Sequence, residues 1–144
     1  MPAVFKEVVL PMVVNASPSE LFEQPSPFGF VQTVERLTRA LSVAGLQTFA
    51  TIDHAAAAHA VGLSLPPTLV LIYGNPASGT PLMQATPAAA LDLPLRVLVR
   101  QAQSQQVVVA FHPITPTLMR AGVPEGDARR LERAQQLLVD ALRP

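Results

Sequence analysis

The chain contains no cysteine and no tryptophan, a single tyrosine and few charged residues. Without cysteine it can form no disulfide framework, thiolate nucleophile, cysteine-ligated zinc site or iron–sulfur cluster. Charged residues make up 14% of the chain and apolar residues 49%, whereas about 25% charge is typical of globular proteins. So little charge leaves many uncharged side chains on the surface, which favours self-association.

The charge that is present is balanced, with ten lysines and arginines against ten aspartates and glutamates. A neutral chain lacks the basic footprint that recognises a phosphate backbone or an anionic membrane, so we expect neither nucleic acid nor membrane as a partner. No apolar run approaches the length of about 18 residues that a membrane-spanning helix needs. The run Val8 to Val14 is interrupted by Pro11 and follows Lys6-Glu7, unlike a secretory signal, so a cytoplasmic location is the default.

A length of 144 residues predicts one domain, and periodicity predicts that this domain is α+β. Four Ser-Pro or Thr-Pro pairs are placed like helix starts: Ser17-Pro18, Thr80-Pro81, Thr86-Pro87 and Thr115-Pro116. The predicted strands are 5–14, 46–52, 68–73, 95–101 and 107–111, the first at a sheet edge, the third central and the last two a hairpin. The predicted helices are 19–23, 33–44, 54–61 and a long amphipathic helix over 127–143.

Histidine is the usual general base and metal ligand near neutral pH. His54 and His59 are five residues apart, about 140° around a helix, so they cannot share one metal ion, and we expect no metal and no cofactor. Asp53 stands where a helix N-cap belongs. Its position beside His54, at a strand-to-helix junction, also leaves an acid/base role open.

Residues 74–80, Gly-Asn-Pro-Ala-Ser-Gly-Thr, reproduce the glycine spacing of a phosphate-binding loop after a strong strand. The lysine of that motif is missing and Pro81 follows at once, which excludes nucleoside triphosphate binding. Two interpretations stay open: backbone amides that hold a carboxylate or phosphate, or a tight turn with Thr80 as N-cap. Tyr73 would place its hydroxyl near the same loop.

Residues 52–83 and 90–99 contain an Ile-Asp-His opening, a Gly-Leu-x-Leu-Pro-Pro-Thr turn, a Gly-Asn-Pro loop with Gly-Thr-Pro-Leu-Met, and an Asp-Leu-Pro-Leu lead into a strand. These motifs resemble the bacterial family called domain of unknown function 302. The resemblance implies a fold like half of the TATA-box-binding protein, β-α-β-β-β-β-α, with a curved antiparallel sheet, a long C-terminal helix and homodimer formation. The family core would cover about 28–112, flanked by an N-terminal strand with a Pro-rich extension (1–27) and a C-terminal helical region (113–144). The family's motif residues fall on Asp53, His54, Gly74, Asn75, Pro76, Gly79, Thr80 and Met83.

The family carries no assigned activity, so three hypotheses remain. The first is a dimeric module that binds a small polar or anionic ligand in one pocket formed by the 53–54 turn and the 75–80 loop. The second is an enzyme with His54 as general base and Asn75 with loop amides as an oxyanion or phosphate clamp. The third is a structural protein-interaction module. The candidate ligand-binding residues are Asp53, His54, Tyr73, Asn75, Gly79 and Thr80.

Overall fold

A computed structural model describes residues 21–144 of the chain. The predicted strand over 5–14 and the predicted helix start at Ser17-Pro18 lie outside these residues. The strands are β1 (Phe22–Ser26), β2 (Gln47–Asp53), β3 (Thr68–Gly74), β4 (Leu95–Gln101) and β5 (Val107–Phe111). The helices are α1 (Phe30–Val43), α2 (His54–Ala60), α3 (Pro76–Ala85), α4 (Ile114–Arg120), α5 (Glu125–Arg129) and α6 (Glu132–Ala141), with a 3-10 helix at Pro87–Leu91.

The five strands form one open sheet in the order β1-β5-β4-β3-β2, and every neighbouring pair is antiparallel. The predicted α+β class is therefore confirmed. β4 and β5 form the predicted hairpin with the predicted bounds, because two runs of β-branched residues flank a short polar connection. β3 lies inside the sheet, hydrogen-bonded on both sides, as its apolar sequence predicts.

The core lies between one face of this sheet and the helices α1 and α6. Alternate residues of β4 and β5 point into it, as the two-residue period of a strand requires. The helices contribute residues at helical spacing from the facing side. The fully buried side chains of this layer include Leu37, Leu41, Leu71, Tyr73, Val97, Val99, Val109, Leu138 and Leu142.

The first described element corrects the prediction for 19–23, because Phe22–Ser26 forms a strand instead of continuing a helix. Phe22 lies opposite Phe111 and stacks on its ring, with centroids 4.7 Å apart. Pro25 is tolerated because β1 is an edge strand. Residues 22–26 of the predicted extension therefore belong to the sheet.

Helix α1 begins after Gly29, earlier than the start predicted at Thr33. Thr33 is buried within the helix, where its hydroxyl shares a 2.6 Å hydrogen bond with the Ser26 hydroxyl. Gly45 follows the helix with φ +77°, the left-handed conformation that its sequence position predicts.

The strand predicted at 46–52 is observed as β2, shifted by one residue. It lies at the sheet edge opposite β1, and all seven of its residues are exposed. Phe49 and Ile52 are 41% and 42% exposed. Helix α2 follows directly and has no buried residue, so an apolar surface continues beyond the strand.

The long helix predicted over 127–143 is divided into α5 and α6. Three successive bonds reach back only three residues, from Arg130 to Asp127, Leu131 to Ala128 and Ala134 to Leu131. Such i to i−3 bonds tighten the chain into a 3-10 turn and interrupt the α-helix. Arg36 of α1 donates to the carbonyl oxygens of Ala141 and Arg143, which fastens the C-terminal end of α6.

Candidate functional site

The candidate site is built around the junction of β3 and α3. Asn75 is the N-cap of α3, and its Oδ1 accepts from the Ala77 amide at 2.9 Å. Pro76 occupies the first helical position, where a missing N–H costs nothing. The predicted cap at Thr80 is therefore wrong, since the helix has already begun four residues earlier. Pro81 is exposed within the helix.

The Thr-Pro predictions further along the chain have different outcomes. Thr86 precedes the 3-10 helix that begins at Pro87, as predicted. Thr115 is the second residue of α4, whose N-cap is Pro113. The Thr115 hydroxyl instead donates a hydrogen bond to the Glu132 carboxylate of α6.

The early start of α3 changes what its backbone can bind. The Ala77 amide is hydrogen-bonded to the Asn75 side chain, and the Ser78 and Gly79 amides are bonded to the Asn75 carbonyl. Pro76 has no amide hydrogen. The amides predicted as a clamp for an oxyanion or phosphate are thus already used by the helix. The polar groups that this loop offers a ligand are side-chain groups, namely the hydroxyls of Ser78 and Thr80 and the Nδ2 amide of Asn75.

A cavity of about 960 Å³ opens beside this junction. It lies at the end of the sheet where β3 finishes and β4 begins, since Tyr73 pairs with Leu95. Helices α3, α5 and α6 and the chain before β4 surround it. Its walls are mainly apolar, and the apolar lining side chains include Leu46, Phe49, Met83, Leu93, Leu131 and Leu137.

The charged part of the lining consists of Arg129, Arg130 and Arg133, and none of the lining residues is acidic. Arg129 is bonded to Glu125 at 2.5 Å, and this hydrogen bond raises the pKa of the Arg129 guanidinium above its usual range. Arg130 lies 3.6 Å from Asp127. The arginine side of the cavity therefore carries permanent positive charge next to apolar walls.

The predicted site residues separate into two groups. Asn75, Gly79 and Thr80 line the cavity, as do Gly74, Pro76 and Met83 of the family motif. Asp53 and His54 lie elsewhere, because Gln47 pairs with Gly74 whereas Asp53 pairs with Leu69. Six residue steps along β2, at ~3.3 Å each, separate these ends by about 20 Å. The expected single pocket formed by both loops is therefore wrong.

This separation also excludes the hypothesis of an enzyme in which His54 and Asn75 act on the same substrate. A base and a clamp must each come within about 3 Å of one substrate, which His54 and Asn75 cannot do from opposite ends of a strand. Asp53 has the capping role that its position predicts, since its side chain accepts from the Ala56 amide at 2.8 Å. Within residues 21–144, no cluster of three or more metal-ligating side chains is present.

Tyr73 lies immediately before the cavity loop but points into the core. It is 0% exposed and does not line the cavity. Among the described residues, its hydroxyl has no hydrogen-bond partner, and burial raises the pKa of this phenol above its usual range. Tyr73 is therefore not a ligand contact, contrary to the prediction.

The cavity's arginines are not among the candidate residues predicted from the sequence, where they fall within the long helix predicted over 127–143. They lie on the flank of the apolar stripe of α5 and α6, where a cavity side chain such as Leu137 also falls. The signal was the Arg129-Arg130-x-x-Arg133 spacing, which places three cations on one side of a helical segment.

Comparison with known proteins places this architecture in a family. The family described as "Domain of unknown function DUF302" matches residues 22–143, and the chain belongs to it. A crystal structure of an uncharacterised conserved DUF302 protein from Bacillus stearothermophilus has the same fold, with a TM-score of 0.78 at 18% identity. The match covers 86% of this chain and 98% of that one. The matched range begins at β1, which supports counting this strand as part of the domain.

Similar sequence segments also occur in larger proteins. Proteins named fluoride-specific ion channel from Brucella suis and Brucella abortus, both FluC 1, are 37% identical to this chain over 97 residues. The match includes 67% of this chain but only 38% and 36% of these relatives. The chain therefore spans less than two fifths of their length. No helix in the described part of this chain has the length and apolar character needed to cross a membrane.

Proposed function

We propose that this protein is a small-molecule-binding module whose ligand occupies the cavity beside the β3–α3 junction. The observation that carries the proposal is the cavity itself, a cleft of about 960 Å³ with mainly apolar walls and a few polar groups. Ligand sites are typically clefts of roughly 300 to 1,000 Å³ with this combination. Asn75, Gly79 and Thr80 stay as binding candidates, and Asp53 and His54 do not.

Gly79 offers a direct way to block the cavity. A Cβ atom added there would lie 3.8 Å from the Met83 methyl and 3.9 Å from a Leu93 methyl, both on cavity-lining side chains. Leucine at this position therefore projects into the cavity, and within a helix leucine is also more favourable than glycine. Ala77→Leu is the matched control, because Ala77 lies on the same helix, is exposed and does not line the cavity.

The test is a titration of the full chain with a panel of small acids, amines and alcohols, with the chemical shifts of the backbone amides measured by NMR as the readout. Sodium fluoride belongs in the panel because of the names of the relatives. We expect binders to shift the amide signals of Asn75, Gly79 and Thr80. Gly79→Leu should weaken such binding at least about tenfold, the loss that ~1.4 kcal/mol of excluded contact produces, while Ala77→Leu leaves it unchanged. Binders that shift only distant amides, or that bind Gly79→Leu normally, would refute the proposal.

We also propose that the module is a homodimer that pairs through β2. This strand is an edge whose seven residues are all exposed, and only Asp53 at its end carries a charge. Unpaired edge strands of this kind readily add a strand from another chain. A two-fold axis through β2 brings two copies of the same surface together, as dimers of identical subunits require.

Thr51→Lys tests this dimer, because Thr51 is exposed on the β2 edge and a lysine on an edge strand opposes pairing with another chain. Light scattering should show a dimer for the natural chain and a monomer for the variant, with circular dichroism confirming that the fold is kept. A monomeric natural chain would contradict the proposal.

The TATA-box-binding-protein-like arrangement, a cytoplasmic location and a bacterial origin are further proposals that rest on the sequence motifs and composition.

A further inference from the structure

The residues that line the cavity indicate the chemical class of its ligand, which the proposed function leaves open. Its charged lining residues are all arginines, and they differ in whether an acidic side chain pairs with them. Arg129 is held by Glu125 and Arg130 lies beside Asp127. Arg133 makes no ion pair or hydrogen bond with any residue of the range 21–144. Its five N–H donors are thus available to an acceptor supplied by a ligand.

Helix α3 also contributes hydroxyl groups to the lining of the cavity. Ser78 and Thr80 line it from α3, and within the described residues neither hydroxyl is hydrogen-bonded. Together with the guanidinium of Arg133, these groups form a donor-rich set. Such a set matches a carboxylate, sulfonate or phosphate, because arginine forms its strongest hydrogen bonds to anionic oxygens.

An inorganic anion alone does not match the rest of the cavity. Most of the lining is apolar, with Phe49, Met83 and Leu137 among its side chains. A bare ion would leave these walls in contact with water, whereas an apolar body placed against them gains from the removal of that surface from water. The volume of about 960 Å³ also far exceeds that of a single ion.

We infer that the ligand is an amphipathic organic anion, an apolar body bearing one acidic group that is held by Arg133. This inference rests on the proposed binding function and adds the ligand class to it. The apolar body lies along the Phe49, Met83 and Leu137 walls. The acidic group lies at the arginine side.

Two dyes of nearly the same shape test the inference. 8-Anilinonaphthalene-1-sulfonate has an aromatic body with a sulfonate, and N-phenyl-1-naphthylamine has the same body without it. Both become fluorescent when they leave water for an apolar site. We expect the sulfonate dye to bind the natural chain about 10 to 100 times more tightly than the neutral dye, the usual range for a charge-assisted hydrogen bond.

Arg133→Gln should remove most of that preference while the affinity for the neutral dye stays the same. Arg96→Gln is the matched control, because Arg96 is an exposed arginine of β4 that does not line the cavity. We expect this control to bind both dyes like the natural chain. Raising the salt concentration should weaken the binding of the sulfonate dye but not that of the neutral dye, since salt screens the charged contact.

The outcomes separate this inference from the proposed function. Equal affinity for the two dyes, or a preference that survives Arg133→Gln, overturns the amphipathic anion as ligand class. The cavity remains the binding site in that case if Gly79→Leu weakens both dyes and Ala77→Leu does not. If Gly79→Leu leaves both affinities unchanged, the dyes bind elsewhere, and both the proposed function and the inference fail.

Discussion

Gln135 of α6 is expected to be a decisive residue for the stability of this fold. It is 5% exposed and lies against the link between β5 and α4. Its Oε1 accepts from the Ile114 amide at 3.0 Å, and its Nε2 donates to the His112 carbonyl at 2.9 Å. Between these two groups stands Pro113, which has no amide hydrogen of its own. One side chain therefore satisfies the backbone on both sides of the link.

Gln135→Leu removes both hydrogen bonds and keeps a side chain of similar length. A buried backbone group without a partner costs about 1 to 3 kcal/mol. The Ile114 amide is buried and the His112 carbonyl is only partly buried, so with the offset from the apolar leucine we expect the free energy of unfolding to fall by about 1 to 3 kcal/mol. Urea unfolding at fixed protein concentration measures this loss as a lower midpoint at unchanged slope.

The neighbouring residue supplies the matched control. Gln136 is exposed, and among residues 21–144 its side chain donates only to Asp140 of the same helix. We expect Gln136→Leu to change the free energy of unfolding by less than about 0.5 kcal/mol. If Gln135→Leu and Gln136→Leu have equal effects, the two hydrogen bonds of Gln135 do not stabilise the fold.

Gln135→Glu adds a pH dependence to the same prediction. The introduced carboxylate can accept from the Ile114 amide but faces the His112 carbonyl oxygen, and burial together with this oxygen raises its pKa in the folded state. Its contribution to stability is therefore full below the unfolded value of about 4.3 and is lost as pH rises through the folded pKa. Relative to the natural chain, the variant should be least stable at neutral pH and recover on acidification. A deficit that does not shrink at low pH would refute this account.

Two further predictions concern residues that the sequence singled out as site candidates. Tyr73→Phe should leave the free energy of unfolding unchanged or raise it by up to about 2 kcal/mol, because the buried hydroxyl has no partner among the described residues. Burial raises the pKa of this phenol in the folded chain, so above about pH 10 the unfolded chain ionises while the folded chain keeps its proton. The natural chain should therefore lose more stability than the variant as the urea midpoint is followed from pH 9 to pH 11. Asp53→Ala should cost about 1 kcal/mol and speed hydrogen exchange of the Ala56 amide, because the N-cap bond of α2 is lost. Dye binding by Asp53→Ala should equal that of the natural chain, and a weaker affinity would place this residue back in the site.

Local signals predicted those parts of the fold that short-range physics decides. The β4–β5 hairpin has the predicted bounds because both strands are rich in β-branched residues and flank a polar connection. Gly45 and Gly62 end their helices with φ of +77° and +80°, as their positions indicate. Asp53 caps α2 because a short carboxylate before a helix reaches its first free amides.

Where two local signals compete, the sequence alone does not decide between them. Asn75-Pro76 and Thr80-Pro81 each place a capping side chain before a proline, and α3 starts at the first pair. The choice follows the end of β3, since Gly74 is the last paired residue of that strand. Strand β1 was missed because Pro25 argues against a strand, and only the edge position beside β5 makes it acceptable.

The candidate site depends on contacts that no local pattern contains. Asn75 and Gly79 are identified by their turn chemistry, but their partners across the cavity come from a helix more than fifty residues further along the chain. Amphipathic periodicity places Arg133 outside the apolar stripe of that helix, which normally means solvent. Arg133 borders a cavity instead. Helix α6 packs on α1 beside the sheet, and the cavity lies between α6, α3 and the chain before β4. The register of β2 against β3 then excludes Asp53, since an antiparallel pair sends the end of one strand to the beginning of the other. Pairing direction, more than residue chemistry, thus determines which polar residues of this chain can meet one ligand.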